Sequence, residues 1–192
     1  MQIAKLIVYV SIIAWILPVF RQYKGNFFYY FLIWALADPF NVWCAPLLKI
    51  HGYVSHSIAG LLLFYSVGVT LQSFIKNWVY HLLLILGFLS ALYLLPNLIF
   101  LLLFIHFLIT YKFIKLAIIR MYSTSELNIF YLVLIFYETS LLVKLIVLIS
   151  GTETAVVLFY LTLLFQILVA IFFTIFREES SLITIRLKPL SE

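Results

Sequence analysis

Charged residues are scarce in this 192-residue sequence: Asp, Glu, Lys and Arg together make up 10%, whereas hydrophobic residues make up 66%. A soluble globular domain carries about 25% charged and 45–50% apolar residues. A chain of this composition cannot cover itself with polar groups, and its mean hydropathy of +1.21 indicates that its solvent is lipid. Its length leaves room for one membrane domain and no additional soluble domain of roughly 50 residues or more.

Cysteine is nearly absent, because Cys44 alone is present, so an intrachain disulfide is excluded. The first apolar run ends at Pro18–Arg21 without a small-residue cleavage site, which predicts a retained helix and not a cleaved signal peptide. The net charge of +5 comes from basic residues scattered between hydrophobic segments. Such residues set membrane topology and touch anionic headgroups, so no nucleic-acid partner is expected.

Seven hydrophobic segments are predicted to cross the membrane as helices. Each has roughly the 17–25 residues needed to span about 30 Å of hydrocarbon. The fold class predicted is an all-α transmembrane bundle in a single domain of residues 1–176, followed by a short polar cytoplasmic tail, residues 177–192. Within this tail, Ser180–Arg186 is expected to be either disordered or a partner-binding strand. The segments are residues 3–20, 27–48, 52–73, 78–95, 97–115, 127–150 and 155–176.

The boundary between the fourth and fifth segments decides the helix count. The run from Trp78 to Tyr111 contains no polar loop, and as one helix it would be about 51 Å long. Pro96 is its only plausible break, since proline disfavours helix in the preceding residue. We therefore predict seven helices, with six as the alternative. Further along, Ser123 to Glu126 matches a capping box and predicts a helix start at Ser123.

Basic residues predict the orientation. With seven helices, nine Lys and Arg residues share one side and two lie on the other, so the N-terminus is outside and the C-terminus is cytoplasmic. With six helices the split is eight against three, so helix length and not charge decides between them. We expect a multi-pass integral protein of the bacterial cytoplasmic (inner) membrane. In topology alone it resembles the seven-helix sensing modules of bacterial signalling proteins.

Polar residues near the midplane are the candidate site. Asp38, His106, Glu138 and Gln166 each lie about nine to 11 residues into their segments, and Thr162 is one turn from Gln166. A carboxylate at mid-bilayer costs about 2.5–3.5 kcal/mol on insertion scales, and such residues by default face a bundle interior. With Asn41, they form the predicted pocket for a ligand, an ion or a coupling contact: Asp38, Asn41, His106, Glu138, Thr162 and Gln166.

Two local contexts leave alternatives open. Asp38 precedes Pro39, which predicts either a simple kink with Asp38 bonded to a neighbouring helix, or a broken helix whose second half begins at mid-membrane. Glu138 must be paired, protonated or in a wet cavity. Lys144 lies about 120° from it around the helix and is expected to extend to the outer surface, so the two are poor partners.

Several functions are disfavoured by what these segments lack. Only His106 is central, and no His/Glu pair has helical ligand spacing, so we expect no haem, metal or other cofactor. No nucleophile–base constellation favours an enzyme. The first hypothesis is a non-enzymatic ligand-sensing or partner-coupling module. The alternatives are a small proton- or ion-coupled transporter, a structural subunit of a larger membrane complex and, last, a lipid-modifying enzyme. The expected partners are the bilayer and either other membrane subunits or a cytoplasmic signalling partner.

Topology can be tested with reporter fusions. A fusion after Glu192 and one within Gly151–Thr154 are expected to report opposite sides of the membrane, because one predicted helix separates them. An N-terminal reporter is expected to lie outside. If both termini prove cytoplasmic, the break at Pro96 does not separate two spans and the six-helix alternative is correct.

Overall fold

The computed structural model describes residues 2–151 and 155–187, and this part of the chain is almost entirely helical. The all-α prediction is therefore confirmed. Three helices are long and apolar enough to cross a membrane: Ile99–Thr124, Ile129–Ser150 and Val157–Ile175. Shorter apolar helices cover Leu6–Arg21 and Trp78–Leu94. The three long helices indicate a membrane-embedded protein.

The helices follow the hydrophobic segments in order. A π-helical turn, Phe40–Cys44, joins the second helix to the third, and the strands and the 3-10 turn are short. The elements are α1 (Gln2–Arg21), α2 (Phe28–Pro39), α3 (Ala45–Leu47), α4 (Gly52–Ser66), α5 (Leu71–Lys76), α6 (Trp78–Leu94), α7 (Ile99–Thr124), β1 (Glu126–Asn128), α8 (Ile129–Ser150), α9 (Ala155–Ile175), the 3-10 turn (Ser181–Ile183) and β2 (Thr184–Arg186).

Six of the described helices form a closed ring in the order α1, α2, α4, α7, α8 and α9, and α9 packs back against α1. Apolar and aromatic side chains from all six fill the interior. α6 lies at the periphery, where His81 and Phe88 are its buried side chains. The ring matters for function because it encloses any side chain that points inward.

The predicted helix break at Pro96 is confirmed. α6 ends at Leu94, and α7 begins at Ile99, whose backbone N–H donates to Asn97 Oδ1 at 3.0 Å. The proline cannot continue a hydrogen-bonded helix, and the asparagine side chain satisfies a donor of the next one.

The predicted helix start at Ser123 is wrong. α7 continues to Thr124 and ends at Ser125, which takes a left-handed conformation with φ of 53°. Glu126–Asn128 then pairs antiparallel with Thr184–Arg186, and α8 begins after Asn128, whose Oδ1 accepts from the Phe130 N–H at 2.9 Å. Pairing with a distant strand therefore outweighs the local capping pattern.

One end of the ring is closed by aromatic packing and by polar contacts to helix ends. Gln22 Nε2, just after α1, donates to the backbone carbonyls of Phe173 and Phe176 at 2.8 Å each. Lys112 Nζ caps the end of α4 by donating to the carbonyls of Phe64 and Val67 at 2.6 and 2.9 Å. The aromatic side chains packed at this end are Phe27, Phe31, Phe113, Phe130 and Phe173.

Glu178 ties the segment after α9 to this closed end. It is 5% exposed, and its Oε1 accepts from Arg120 Nη1 at 2.6 Å and from the Tyr131 hydroxyl at 2.5 Å. Its Oε2 accepts from Asn26 Nδ2 at 2.9 Å, while its backbone carbonyl accepts from Asn128 Nδ2 at 2.7 Å. The start of the segment predicted as a polar tail thus folds back and joins α7, α8 and the α1–α2 connection.

Adjacent glutamates offer a matched test of this anchor. Glu178→Ala is expected to lower the free energy of unfolding by about 2–3 kcal/mol, because it leaves the buried Tyr131 hydroxyl and the partly buried donors of Arg120 and Asn26 without a charged acceptor. Glu179→Ala is the control, since the Glu179 side chain is 63% exposed, and it should change stability by less than about 0.5 kcal/mol. Unfolding in mild detergent measures both, and equal effects would contradict the anchoring role.

Candidate functional site

Glu138 lies at the centre of the ring and is completely buried. Its Oε1 accepts a hydrogen bond from the Tyr30 hydroxyl of α2 at 2.5 Å. Its Oε2 lies 2.7 Å from His106 Nδ1 of α7. Of the three states open to a midplane glutamate, the structure therefore shows pairing, and one carboxylate of α8 joins two neighbouring helices.

Aromatic rings fix the position of His106. Trp34 stacks on the imidazole with ring centroids 6.0 Å apart and planes 24° apart. Trp34 in turn contacts Tyr137 and Trp15 at centroid distances of 5.5 and 5.9 Å. With Nδ1 held by Glu138 and one face covered by indole, the ring has little freedom to turn.

A cavity of about 420 Å³ lies beside His106 inside the ring. All six ring helices contribute to its wall, and so does the π-helical turn. This volume falls at the small end of the range for ligand pockets, about 300–1,000 Å³. Apolar side chains supply most of the wall: Val8, Trp34, Val42, Leu102, Leu141, Leu145, Leu148, Phe159 and Leu163.

Four of the six predicted site residues line this cavity: Asp38, Asn41, His106 and Gln166. Asn41 is held by its own bonds, since Nδ2 donates to the Ala37 carbonyl at 2.9 Å and Oδ1 accepts from the Ser55 hydroxyl. Gln166 is 5% exposed and forms no hydrogen bond with any residue that the structure describes. The structure thus brings four of the predicted side chains, from α2, the π turn, α7 and α9, to one cavity.

The other two predicted residues lie elsewhere. Glu138 stands behind His106 and does not contribute to the cavity wall. Thr162 lines a separate, largely apolar groove between α8 and α9 and donates its hydroxyl to the Phe159 carbonyl at 2.8 Å. Two residues four positions apart in a helix differ in direction by about 40°. This difference is enough for Gln166 to face the cavity while Thr162 faces the groove between α8 and α9.

The helix around Asp38 is not broken. Pro39 has φ of −55° and ψ of −43°, and the chain passes through it into the π turn without a new helix start. The alternative of a half-helix beginning at mid-membrane is therefore wrong. The other alternative is a simple kink with Asp38 bonded to a neighbouring helix. Asp38 is half-buried and lines the cavity, and no described residue of a neighbouring helix forms a hydrogen bond with its carboxylate, so this alternative does not describe the structure fully either.

Lys144 was expected to extend to the outer surface, and the structure places it in the cavity wall instead. Its Nζ lies 4.3 Å from the centroid of the Phe159 ring, a cation–π contact that holds it inside. As predicted, it does not pair with Glu138. It lines the same cavity as Asp38.

Sequence reasoning missed three further polar side chains. Tyr30 bonds Glu138, and Tyr53 and His56 of α4 line the cavity. His56 Nδ1 lies 3.3 Å from Asn41 Nδ2. None of the three lies at a midplane depth in its own segment, so no signal in the sequence marked them. Within residues 2–151 and 155–187, no three His, Cys, Asp or Glu side chains are grouped closely enough to hold a metal ion.

No protein-family model, curated protein or solved structure matches this chain.

Two variants at position 138 test whether the hydrogen bonds of Glu138, and not only its packing, stabilise the fold. Glu138→Gln is expected to keep the fold, because the amide can accept from Tyr30 and donate to His106. Glu138→Leu leaves both partners unpaired and is expected to cost about 1–3 kcal/mol for each orphaned group. Thermal unfolding in detergent measures the difference. Equal stability of the two variants would contradict the structural importance of these bonds.

Proposed function

We propose that this protein is a seven-segment membrane module, with its N-terminus outside and its C-terminus in the cytoplasm, that binds a small ligand in the ring cavity and couples this binding to a partner. One observation carries the proposal. Six helices that are otherwise packed with apolar side chains line a cavity that carries an acid, an amine, two imidazoles and an unpaired amide: Asp38, Lys144, His56, His106 and Gln166.

The seven-segment arrangement is supported by how the helices combine. The residues from Phe28 to Leu47 form one nearly continuous helical rod of about 30 Å, because the π turn bridges α2 and α3. This rod is long enough to cross the hydrocarbon core. α6, Trp78–Leu94, is a shorter apolar helix that follows the interruption at Asn77.

The orientation is supported by the charges at the closed end. Four basic residues lie at this end, near Gln22 and Glu178: Arg21, Lys24, Arg120 and Arg177. Under the positive-inside rule this end faces the cytoplasm. The cavity lies toward the opposite end, because Val8, Tyr53 and Phe159 come from the beginnings of α1, α4 and α9. A ligand then enters from the outside.

Coupling follows from the helices that the two ends share. α7 carries His106 beside the cavity and Arg120 at the closed end, while α8 carries Glu138 and Tyr131. A ligand that shifts His106 acts on Glu138 and hence on both helices. Arg120 and Tyr131 then transmit the shift to Glu178 and to the β1–β2 pair, where a cytoplasmic partner would read it.

A proton-coupled transporter is the second candidate, and the buried His106–Glu138 pair favours it. A protonatable pair inside a membrane protein is the usual component of a proton relay. Uptake into proteoliposomes that depends on a pH gradient and is lost in Glu138→Gln would establish transport. Ligand binding without uptake would establish the sensing module.

A thermal-stability screen with matched variants tests ligand binding. A compound that binds the cavity raises the unfolding temperature of the wild type and of Leu161→Phe, because Leu161 lines the outer groove. It should fail to stabilise Leu163→Phe, in which the added ring fills the cavity, and should stabilise Gln166→Leu less than the wild type.

If no compound of a diverse water-soluble set stabilises the wild type, or if Leu163→Phe and Leu161→Phe respond equally, the cavity is not a ligand site. A structural subunit of a larger complex would then be the better description.

A further inference from the structure

We propose that the cavity binds a small zwitterion with an apolar side group, whose ammonium pairs with Asp38 and whose anionic group pairs with Lys144. This inference rests on the proposed ligand-binding function and adds the chemical class of the ligand. It follows from two opposite charges that face one space without touching.

The first evidence is the separation of the two charges. Asp38 of α2 and Lys144 of α8 both line the cavity. Among the described residues, however, neither forms an ion pair or a hydrogen bond. Charges of opposite sign in a low-dielectric interior attract each other strongly. Two side chains of opposite charge type that line one cavity without pairing therefore provide two binding points of opposite sign.

The second evidence is the unused hydrogen-bonding capacity in the same cavity wall. The amide of Gln166 is 5% exposed, lines the cavity and has no partner within the described chain. His106 uses Nδ1 for Glu138, and its Nε2 likewise has no described partner. Buried polar groups are normally satisfied, so unpaired ones in a cavity wall indicate a polar ligand or water.

The apolar part of the cavity wall determines which uncharged group the ligand can carry. Leu102, Leu141, Leu145 and Leu163 surround the polar groups with aliphatic surface. A cavity of about 420 Å³ admits a compact molecule and not an acylated lipid. These properties fit an amino-acid-like zwitterion with an aliphatic or small aromatic side group. An ethanolamine phosphate headgroup offers the same two charges without the apolar group.

A ligand with one charge fits less well. An amine would neutralise Asp38 but leave Lys144 facing a second cation, and a carboxylic acid would leave Asp38 facing a second anion. Like charges held close together in a dry site repel. The pair therefore discriminates against each singly charged analogue.

Leucine and its analogues test this charge requirement directly. The purified full chain in phosphatidylglycerol nanodiscs would be titrated with L-leucine, 3-methylbutylamine, 4-methylpentanoate and 4-methylpentan-1-ol. Glycerophosphoethanolamine tests the headgroup as the source of the two charges. We expect leucine to bind at least about 30-fold more tightly than either singly charged analogue, the loss typical when a buried charge pair is left incomplete.

The variants assign each charge. Asp38→Asn and Lys144→Met should each weaken leucine binding by about 30-fold or more. Asp38→Asn should leave 4-methylpentanoate binding unchanged or stronger, and Lys144→Met should do the same for 3-methylbutylamine. Glu179→Gln and Lys76→Met are the matched controls, because both residues are exposed and remote from the cavity. Unfolding temperatures of all variants verify folding.

The outcomes separate this inference from the proposed function. If leucine and the alcohol bind equally, or if neither cavity variant changes leucine binding, the proposal that the ligand is a zwitterion is wrong. Preferential binding of glycerophosphoethanolamine supports the charge pairing and overturns the apolar side group. If no zwitterion binds but another compound binds in a manner lost in Leu163→Phe, the zwitterion fails and the ligand-binding function stands. If nothing binds, both fail.

Discussion

The buried carboxylate of Glu138 is the constraint around which the ring is arranged. Inside a bilayer no water is present to satisfy such a group, so its partners must come from other helices. Tyr30 and His106 fill this role and fix α2, α7 and α8 relative to one another. The same bonds orient the imidazole against Trp34 and so form one wall of the cavity. The positions of Asp38 on α2 and Lys144 on α8 therefore depend on a residue that does not itself line the cavity.

The two ends of the ring are the reason why we propose sensing ahead of transport. A transporter must open toward both sides, which here requires Phe27, Phe113 and Phe173 to separate and the bonds of Glu178 to break. Binding that only changes the His106–Glu138 contact needs no such opening. A small shift of α7 against α8 reaches Arg120 and Tyr131 directly, because each lies on one of those helices. On the proposed function, the packed end therefore has to transmit movement and does not have to pass a solute.

The level of a residue along its helix could be predicted from the sequence, whereas its direction around the helix could not. Rise per residue gives Asp38, His106 and Gln166 similar levels in their segments, and the three side chains line one cavity. Whether Thr162 or Lys144 turns inward depends on which helices are neighbours, and a single sequence does not supply that. The same distinction applies to helix ends: the break at Pro96 follows from local proline chemistry, but the pairing of Glu126–Asn128 with Thr184–Arg186 involves residues far apart in the chain.

The π-helical turn after Pro39 accounts for the unpaired state of Asp38. In a regular helix Asn41 would lie three residues beyond Asp38 on nearly the same face, within reach of its carboxylate. Here the amide of Asn41 is committed to the Ala37 carbonyl and to Ser55 of α4. Single π turns within α-helices occur frequently at functional sites. With Asn41 engaged elsewhere, the carboxylate of Asp38 lines the cavity without a hydrogen bond from the described residues, which is the state that the proposed ligand requires.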